Sequence, residues 1–170
     1  NSDGFYERDG EEIGFVISVM SGEQDRIDIA QAAAQQLRET GINCTVEIPA
    51  QMDWGGQMGC LIGWGSPFDA DDHTYKVFGT DKGANYSGYS NALVDEYLTL
   101  ARQSSDDAVR KEYYGKFLHA LADDPAYAFI CYIDANYVAK STIHGIDADT
   151  VLGHHGVGIF WNIQDWTIGE

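Results

Sequence analysis

Residues 12–48 read EIGFVISVMSGEQDRIDIAQAAAQQLRETGINCTVEI, and this stretch decides the fold. Residues 12–20 predict a strand buried on both faces, because apolar side chains occupy both sides of the alternation. Residues 24–39 predict a helix with apolar side chains at three- and four-residue spacing, and Gly41 follows as a left-handed cap. Residues 42–48 alternate as a second strand. Strand, helix and strand with short connections predict a right-handed βαβ unit with parallel strands.

The next apolar run, at about residues 58–64, predicts a third strand that ends in the loop Gly63-Trp64-Gly65-Ser66-Pro67-Phe68-Asp69. Glycine on each side of Trp64 lets the backbone approach another molecule closely, because no Cβ intervenes. Two large rings with peptide groups between them suit an extended or planar ligand. Ligands of open α/β sheets bind at the carboxyl ends of strands, which is where this loop stands. The alternative is a core tryptophan in a turn of glycine and proline.

Two helices are predicted in the second half of the chain. Asn91 is a suitable N-cap for a helix over about 92–103. A second helix, over about 106–122, is expected to be capped by Ser104 or Ser105 and carries aspartates in its first turn. Because the break between them is short, the helices are expected to pack as an antiparallel hairpin.

The remaining segments are less regular. Residues 69–90 are polar and contain several glycines, so they are expected to be irregular. Residues 127–133 and 137–140 predict two strands. The last thirty residues are rich in glycine and show no clear period.

Charge excludes several classes of partner. The chain of 170 residues has 27 acidic and 10 basic side chains, a formal net charge of −17. Such a surface repels nucleic-acid phosphates and anionic lipid, so neither is an expected partner. No apolar run is long enough to span a bilayer. No leader is visible at Asn1, where a polar turn suggests an excised or processed chain.

Cysteines and histidines give little sign of chemistry. Cys44, Cys60 and Cys131 lie far apart, so the sequence predicts buried free thiols and no redox or zinc framework. Asp71-Asp72-His73 is a candidate set of metal ligands, although acidic residues beside a histidine are common on an acidic surface. His154-His155 is expected to lie in a solvated loop. No cofactor is predicted.

Several segments, in this order, together resemble a known family. They are Arg8-Asp9-Gly10 with the strand after it, the helix from Ile29 to Arg38 with Gly41-Ile42, Gly63-Trp64, Asn85-Tyr86-Ser87-Gly88-Tyr89-Ser90-Asn91 with Val94-Asp95, the helix with Arg110 and Tyr114, and Asp123-Asp124-Pro125. The chain resembles the carboxy-terminal portion of an extracellular solute-binding protein of the peptide/nickel type, family 5, which serves an ABC importer.

This resemblance implies an α/β fold: one lobe of a periplasmic-binding-protein-like fold of type II, with a βαβ-based sheet flanked by helices. Residues 1–135 would form the carboxy-terminal lobe. Residues 136–170 would be a return segment that packs on the missing amino-terminal lobe. The family has two lobes that close on a ligand like jaws. The ligand-binding residues it implies are Gly63, Trp64, Gly65, Ser66, Phe68 and Asp69.

The resemblance also implies roles for these residues. The Trp64 ring would lie under the ligand, and the peptide groups of the flanking glycines would bond to it. Peptide-binding members carry an acidic residue where this chain has Pro67, which puts recognition of a peptide amine in doubt. The aromatic Phe68 is closer to members that bind nickel chelates, and Asp69 is a candidate partner for a cation. Residues 49–57 are shorter than the helix usual in the family, so the pocket edge is expected to be more open.

The function implied is substrate capture for an ABC importer, without enzymatic turnover, on a small peptide or a nickel or metal chelate. ABC permease subunits would be partners, and the location would be extracytoplasmic, either periplasmic or lipid-anchored. Two alternatives stay open: a metal-dependent hydrolase using the acidic loop 69–73, and a protein-interaction module. Self-association through the C-terminal segment, whose Phe160, Trp161 and Trp166 would be uncovered, is a further expectation.

Overall fold

The computed structural model describes residues 3–65, 69–132, 134, 136–147, 149 and 158–169. The chain divides into two compact units, Asn1–Gly63 and Trp64–Glu170. Helices are combined with a parallel sheet, so the predicted α/β class is confirmed. None of the helices in the described ranges has the length and apolar character needed to cross a membrane.

The first unit begins with a two-stranded antiparallel hairpin, β1 (Glu7–Arg8) and β2 (Glu11–Glu12). Its turn places Asp9 and Gly10 at φ 56° and 84°, a conformation that glycine adopts without steric cost and aspartate tolerates. The residue sequence Arg8-Asp9-Gly10 is therefore explained by the geometry of a tight turn.

The centre of the first unit is a three-stranded parallel sheet in the order β4-β3-β5. Its strands are β3 (Gly14–Ser18), β4 (Asn43–Glu47) and β5 (Gly59–Cys60), and the helix α1 (Gln24–Glu39) connects β3 to β4. β3 and β4 pair in parallel along their whole length. The predicted strand–helix–strand unit is confirmed, and α1 has the predicted bounds.

α1 packs on the sheet through small and branched side chains. Ile27, Ala30 and Ala34 are buried at three- and four-residue spacing, which is the stripe expected of an amphipathic helix. Ile27 and Ala30 form a core cluster with Val19. Full burial of a side chain the size of valine or isoleucine stabilises a fold by about 1.5–3 kcal/mol. Gly41 then ends the helix at φ 92°.

Two strands are shorter than the sequence predicts. β3 occupies the middle of residues 12–20, and β5 has two residues. β5 pairs with only the last two residues of β3, and the Leu61 N–H donates to the Ser18 carbonyl at 3.1 Å. Because β3 ends at Ser18, the residues after Leu61 have no further ladder partner in the described part of the chain, and the strand stops there.

The described residues of the second unit form three α-helices: α2 (Ala70–Phe78), α3 (Ala92–Arg102) and α4 (Asp107–Asp123). α3 and α4 are joined by residues 103–106, and the predicted pair of neighbouring helices is present. Their shared core consists of Val94, Leu98, Phe117 and Leu121, with Tyr75, Phe78, Tyr89, Tyr97 and Tyr114 among the rings packed against it.

The helix caps show how short polar residues set these boundaries. The Asn91 Oδ1 accepts from the Leu93 and Val94 N–H groups at 3.0 and 3.3 Å, as predicted for an N-cap. At α4 the predicted serine cap is wrong, because Asp106 Oδ1 accepts from the N–H groups of the first turn. Ser104 instead accepts from the Asp106 N–H at 3.1 Å, so it holds the capping residue.

α2 is a helix where the sequence predicted irregular structure, and that prediction is wrong. The segment has one fully buried residue, Val77, and Tyr75 and Phe78 pack against the core, but its polar composition and the glycines that follow it favoured irregular structure. Its start is set by Asp69, whose Oδ1 accepts from the Asp71 N–H at 2.7 Å. Aspartate at the cap and acidic residues in the first turn were the available signal.

The Asp69 carboxylate also pairs with α4. The Arg110 Nη2 lies 2.8 and 2.7 Å from its two oxygens, so one carboxylate caps α2 and binds a cation. The backbone N–H of Asp71 and then the Arg110 guanidinium hold the pKa of Asp69 below its ordinary value. The same contact raises the pKa of Arg110.

The loop between α2 and α3 is organised by one amide side chain. The Asn85 Nδ2 donates to the carbonyls of Gly79 and Tyr89 at 3.0 and 2.7 Å. Its Oδ1 accepts from the Tyr89 N–H at 3.1 Å. The Thr80 N–H donates to Asp95 Oδ1 at 2.8 Å, which ties the start of the loop to α3.

The strands predicted at residues 127–133 and 137–140 are wrong for the residues described there. A β-strand needs a neighbouring strand to pair its backbone groups, and none of the described elements supplies one. The apolar side chains that suggested strands are exposed instead: Phe129, Ile130, Tyr132 and Val138.

The final part of the chain is held by a short ladder and a buried asparagine. β6 (Ile143–His144) pairs antiparallel with β7 (Thr167–Ile168), and a 3-10 helix covers Ile159–Asp165. The Asn162 Nδ2 donates to the Gly145 carbonyl at 2.8 Å, and its Oδ1 accepts from the Trp166 indole N–H at 2.9 Å.

All three cysteines are free. Cys44 is buried, and its burial raises the pKa of the thiol. Cys60 is half-buried, whereas Cys131 is exposed. The prediction of a buried thiol is wrong for Cys131, because the strand expected around it is not formed.

Replacing the amide that organises the α2–α3 loop should destabilise the second unit. We expect Asn85→Ala to lower the free energy of unfolding by about 2–3 kcal/mol, because it leaves two carbonyls and one N–H without their partner. Urea denaturation followed by circular dichroism measures the change. Ser87→Ala removes only an exposed hydroxyl bonded to the same amide and should stay within about 0.5 kcal/mol of the wild type. Equal effects of the two variants would contradict this account of the loop.

The Asp69–Arg110 pair should give stability that depends on pH. Asparagine caps helices as well as aspartate does, so Asp69→Asn keeps the cap and removes the charge. Because the folded-state pKa of Asp69 is depressed, its contribution is present above the unfolded-state pKa, about 3.9, and is lost as pH falls through the lower folded-state value. We therefore expect the urea midpoint of D69N to lie below that of the wild type at pH 7 and to converge with it in acid.

Asp107→Asn, in the first turn of α4, is the matched control for this titration, because Asp107 is exposed and is not the capping residue. A D69N deficit that stays constant from pH 7 to pH 2 would show that the carboxylate charge is not what stabilises the start of α2.

Candidate functional site

The candidate site is the loop after β5. Gly63 is exposed, while Trp64 and Gly65 are half-buried. Ser66 and Phe68, also predicted as ligand contacts, lie outside the described residues, as does Pro67. Asp69 is exposed at the start of α2.

The Trp64 ring is supported by two other rings of the second unit. The Tyr86 ring is stacked with it, with centroids 6.0 Å apart and planes at 17°. The His73 ring is tilted by 49° with its centroid 5.7 Å away. The indole Nε1 is buried and has no hydrogen-bond partner among the described residues. Any exposed part of the indole is therefore carbon, which offers van der Waals contact rather than a hydrogen bond.

The backbone of the loop is bonded to the same histidine. The His73 Nδ1 lies 2.9 Å from the Gly65 carbonyl oxygen. A carbonyl oxygen only accepts, so Nδ1 carries the proton and donates it. The carbonyl of Gly65 is engaged by this bond.

Gly63 has a close neighbour within the first unit. A Cβ added at Gly63 would lie 2.6 Å from the Arg26 Nη2, and Arg26 is paired with Glu23. Because this nitrogen is the far end of a flexible side chain, a small residue at position 63 would require only a shift of the guanidinium.

Asp69 faces a protein cation. Its carboxylate is occupied by the Asp71 N–H and by Arg110, as described for α2. The sequence analysis treated Asp69 as a candidate partner for a cation and did not place Arg110 opposite it. The available signal was a basic residue near the start of α4.

Asp71, Asp72 and His73 each bond to other residues, and the Asp72 carboxylate also lies 3.9 Å from the His73 Nε2. Asp71 pairs with the Arg102 Nε at 3.1 Å, and Asp72 pairs with the Lys76 Nζ at 3.2 Å. His73 is bonded to the loop. No group of three potential metal ligands exists among the residues that the structure describes. The geometry therefore does not favour the metal-dependent hydrolase. His154-His155 lies outside the described residues.

Tyr114 completes the contacts around Asp71. Its hydroxyl is 3.4 Å from Asp71 Oδ1, and the Arg110 guanidinium lies 5.5 Å from its ring centroid. Burial, and then the charge of Asp71, raise the pKa of Tyr114. Arg102 in turn lies 4.0 Å over the Tyr75 ring. Charged and aromatic side chains of α3 and α4 thus hold the first turn of α2.

A second feature, which sequence reasoning did not locate, is a cavity of about 160 Å³ in the first unit. It stands where β3 and β4 end, beside the 49–57 connection, which contains turns and no helix. The buried Ser18 hydroxyl donates to the Glu47 carboxylate at its wall. The lining residues are Ser18, Glu47, Pro49, Gln51, Met52, Asp53, Gly56 and Gln57. Two carboxylates and no basic side chain among them give the cavity an anionic wall.

Comparison with known proteins supplies relatives for the whole chain. No protein-family model matches the sequence. The oligopeptide-binding protein AppA of Bacillus subtilis is 25% identical over 100% of this chain and 32% of its own length. Protein XP55 of Streptomyces lividans is 32% identical over 85% of this chain and 28% of its own length.

A solved structure agrees with these relatives. The crystal structure of NikZ from Campylobacter jejuni, in complex with Ni(L-His), superposes with a TM-score of 0.80 at 35% identity. The superposition covers 98% of this chain and 36% of NikZ. The chain thus spans about a third of the length of the proteins it matches. The resemblance drawn from the sequence is confirmed: the chain is similar, over its whole length, to part of the peptide- and nickel-binding solute-binding proteins of ABC importers, and it has their fold.

Proposed function

We propose that this chain is one lobe of the substrate-capture protein of an ABC importer. The observation that carries the proposal is the match of the whole chain to about a third of AppA and of NikZ. A lobe of a two-lobed protein would account for that proportion. Binding without chemical turnover fits the dispersed acidic residues around His73.

Ligand contacts are assigned to the loop after β5: Gly63, Trp64, Gly65, Ser66, Phe68 and Asp69. The support for this assignment is the half-buried Trp64, which is stacked on Tyr86 and follows the exposed Gly63. The ring offers apolar contact area, and the Gly63 peptide group offers hydrogen bonds. Arg110 is bonded to the Asp69 carboxylate, so a ligand that contacts Asp69 would share the carboxylate with Arg110.

The ligand class is a small peptide or a nickel chelate. AppA has been crystallised with a nonapeptide and NikZ with Ni(L-His). The anionic cavity beside the 49–57 connection would, by itself, suit a cationic or polar group. Pro67 stands where an acidic partner for a peptide amine is expected, which favours the chelate among the two classes.

The mechanism is conformational. A ligand that contacts both lobes stabilises the closed form, and the closed form docks on the permease subunits. The location is accordingly extracytoplasmic, either periplasmic or anchored at the cell surface. Residues 1–135 would be the carboxy-terminal lobe, and residues 136–170 would return to the amino-terminal lobe. The exposure of Val138 and Ile168 in that segment supports a covering partner.

Removing the indole should weaken ligand binding in the full-length gene product. We expect Trp64→Ala to raise the Kd for the nickel–histidine chelate or for a nonapeptide at least tenfold, about 1.4 kcal/mol, because a buried aromatic contact is lost. Isothermal titration calorimetry measures both ligands.

Tyr113→Ala is the matched control for this measurement. Its ring is stacked with that of Tyr97 at 6.5 Å in the same unit, so it also removes an aromatic pair. Unchanged affinity in W64A, or an equal loss in Y113A, would count against the Trp64 loop as the binding surface.

The lobe alone should bind poorly. Since half of the proposed site belongs to the other lobe, we expect the 170-residue chain to bind the same chelate or peptide at least a hundredfold more weakly than the full-length gene product, about 2.8 kcal/mol. Parallel calorimetric titrations of the two proteins compare the affinities. Equal affinity of the chain and the full-length product would refute closure between two lobes as the binding mechanism.

A further inference from the structure

His73 contacts two consecutive residues of the loop in two different ways. Its Nδ1 donates to the Gly65 carbonyl at 2.9 Å, and its ring lies against the indole of Trp64 with centroids 5.7 Å apart. A single imidazole thereby restrains both the path of the backbone after Trp64 and the orientation of the ring. The Tyr86 ring is stacked with the same indole.

The helix that carries His73 is itself held at several points. Asp69 at its N-cap pairs with Arg110, and Asp71 in its first turn pairs with Arg102. Both arginines belong to the α3–α4 pair, whose core is fully buried. The imidazole is therefore fixed by the scaffold of the second unit, and it transmits that fixed position to the loop.

We propose that His73 is a positioning residue for Trp64 and Gly65, which it holds in their ligand-binding arrangement before ligand arrives. The inference rests on the proposed function of the Trp64 loop and adds a residue that does not itself touch ligand. A loop that is ordered before binding loses little conformational freedom when ligand binds. The apparent affinity rises in proportion to the fraction of molecules in the competent conformation.

The hydrogen bond can be tested first without any variant. Long-range ¹H–¹⁵N NMR of the full-length gene product distinguishes a protonated from an unprotonated Nδ1. We expect the Nδ1 of His73 to be protonated and its proton to be protected from exchange. An unprotonated Nδ1 would overturn the proposal, because such a nitrogen does not donate to a carbonyl.

Two substitutions separate the hydrogen bond from the bulk of the side chain. The amide nitrogen of asparagine stands at the position of Nδ1, whereas that of glutamine stands farther out, near Nε2. We expect His73→Gln to raise the Kd for the nickel–histidine chelate or the nonapeptide about fivefold, because one hydrogen bond is lost. We expect the affinity of His73→Asn to be close to that of the wild type. His119→Gln, on the exposed face of α4, is the control and should leave the Kd unchanged.

A ligand-independent readout accompanies the titrations. The protein is labelled with 5-fluorotryptophan, and the ¹⁹F resonance of Trp64 is assigned as the one that disappears in Trp64→Phe. We expect this resonance to shift and broaden in H73Q and to stay near its wild-type position in H73N. An unmoved resonance in H73Q would overturn the proposal even if neither probe binds. Equal losses of affinity in H73N and H73Q, matched by equal losses of stability in urea, would reduce His73 to a residue that only stabilises α2.

Failure of this inference is distinguishable from failure of the proposed function. If Trp64→Ala weakens binding and the His73 variants do not, the loop binds ligand without help from His73, and the positioning role is wrong. If Trp64→Ala leaves the affinity unchanged, the binding role of the loop is wrong, and the positioning role is wrong with it.

Discussion

The carboxylate of Asp69 joins two parts of the second unit. It accepts from the Asp71 N–H in the first turn of α2 and pairs with Arg110 of α4, so it sets the start of the helix and ties that start to α4. The position of His73 follows from that start, and the contacts of the Trp64 loop follow from His73. Three contacts thus connect α4 to the half-buried Trp64: the Asp69 cap of α2, the Asp69–Arg110 ion pair and the His73 imidazole.

The sequence predicted those parts of the fold that carry a strong local signal. α1 was predicted with its observed bounds, because its apolar stripe is continuous and Gly41 ends it. α2 was missed, because side-chain pairing and capping hold it and only Val77 is buried. The strands predicted around residues 127–133 and 137–140 failed for a different reason. An apolar extended segment forms a strand only where a partner edge exists, and local sequence does not specify that edge.

The site was predictable to a similar degree. Glycine beside tryptophan at a strand end indicated the loop, but neither Tyr86 nor His73 could be placed against it, since both contacts depend on how α2 and its following loop fold. The segment that carried much of the family resemblance has a structural explanation. Asn85 organises its own loop, Asn91 caps α3 and donates to Asp124, and the Tyr89 hydroxyl donates to the Asp124 carbonyl. These residues support a fold that is similar to those of NikZ, crystallised with Ni(L-His), and AppA, crystallised with a nonapeptide.

The exposed rings between residues 129 and 138 have a consequence for the behaviour of the chain in solution. The net charge of −17 keeps copies apart through mutual repulsion, while Phe129 and Tyr132 offer apolar area that water disfavours. Dissolved salt shortens the range of the repulsion to about 10 Å at 0.1 M and about 3 Å at 1 M, and it leaves the apolar attraction in place. We therefore expect copies of the chain to stay apart in dilute buffer and to associate through their exposed aromatic side chains in concentrated salt.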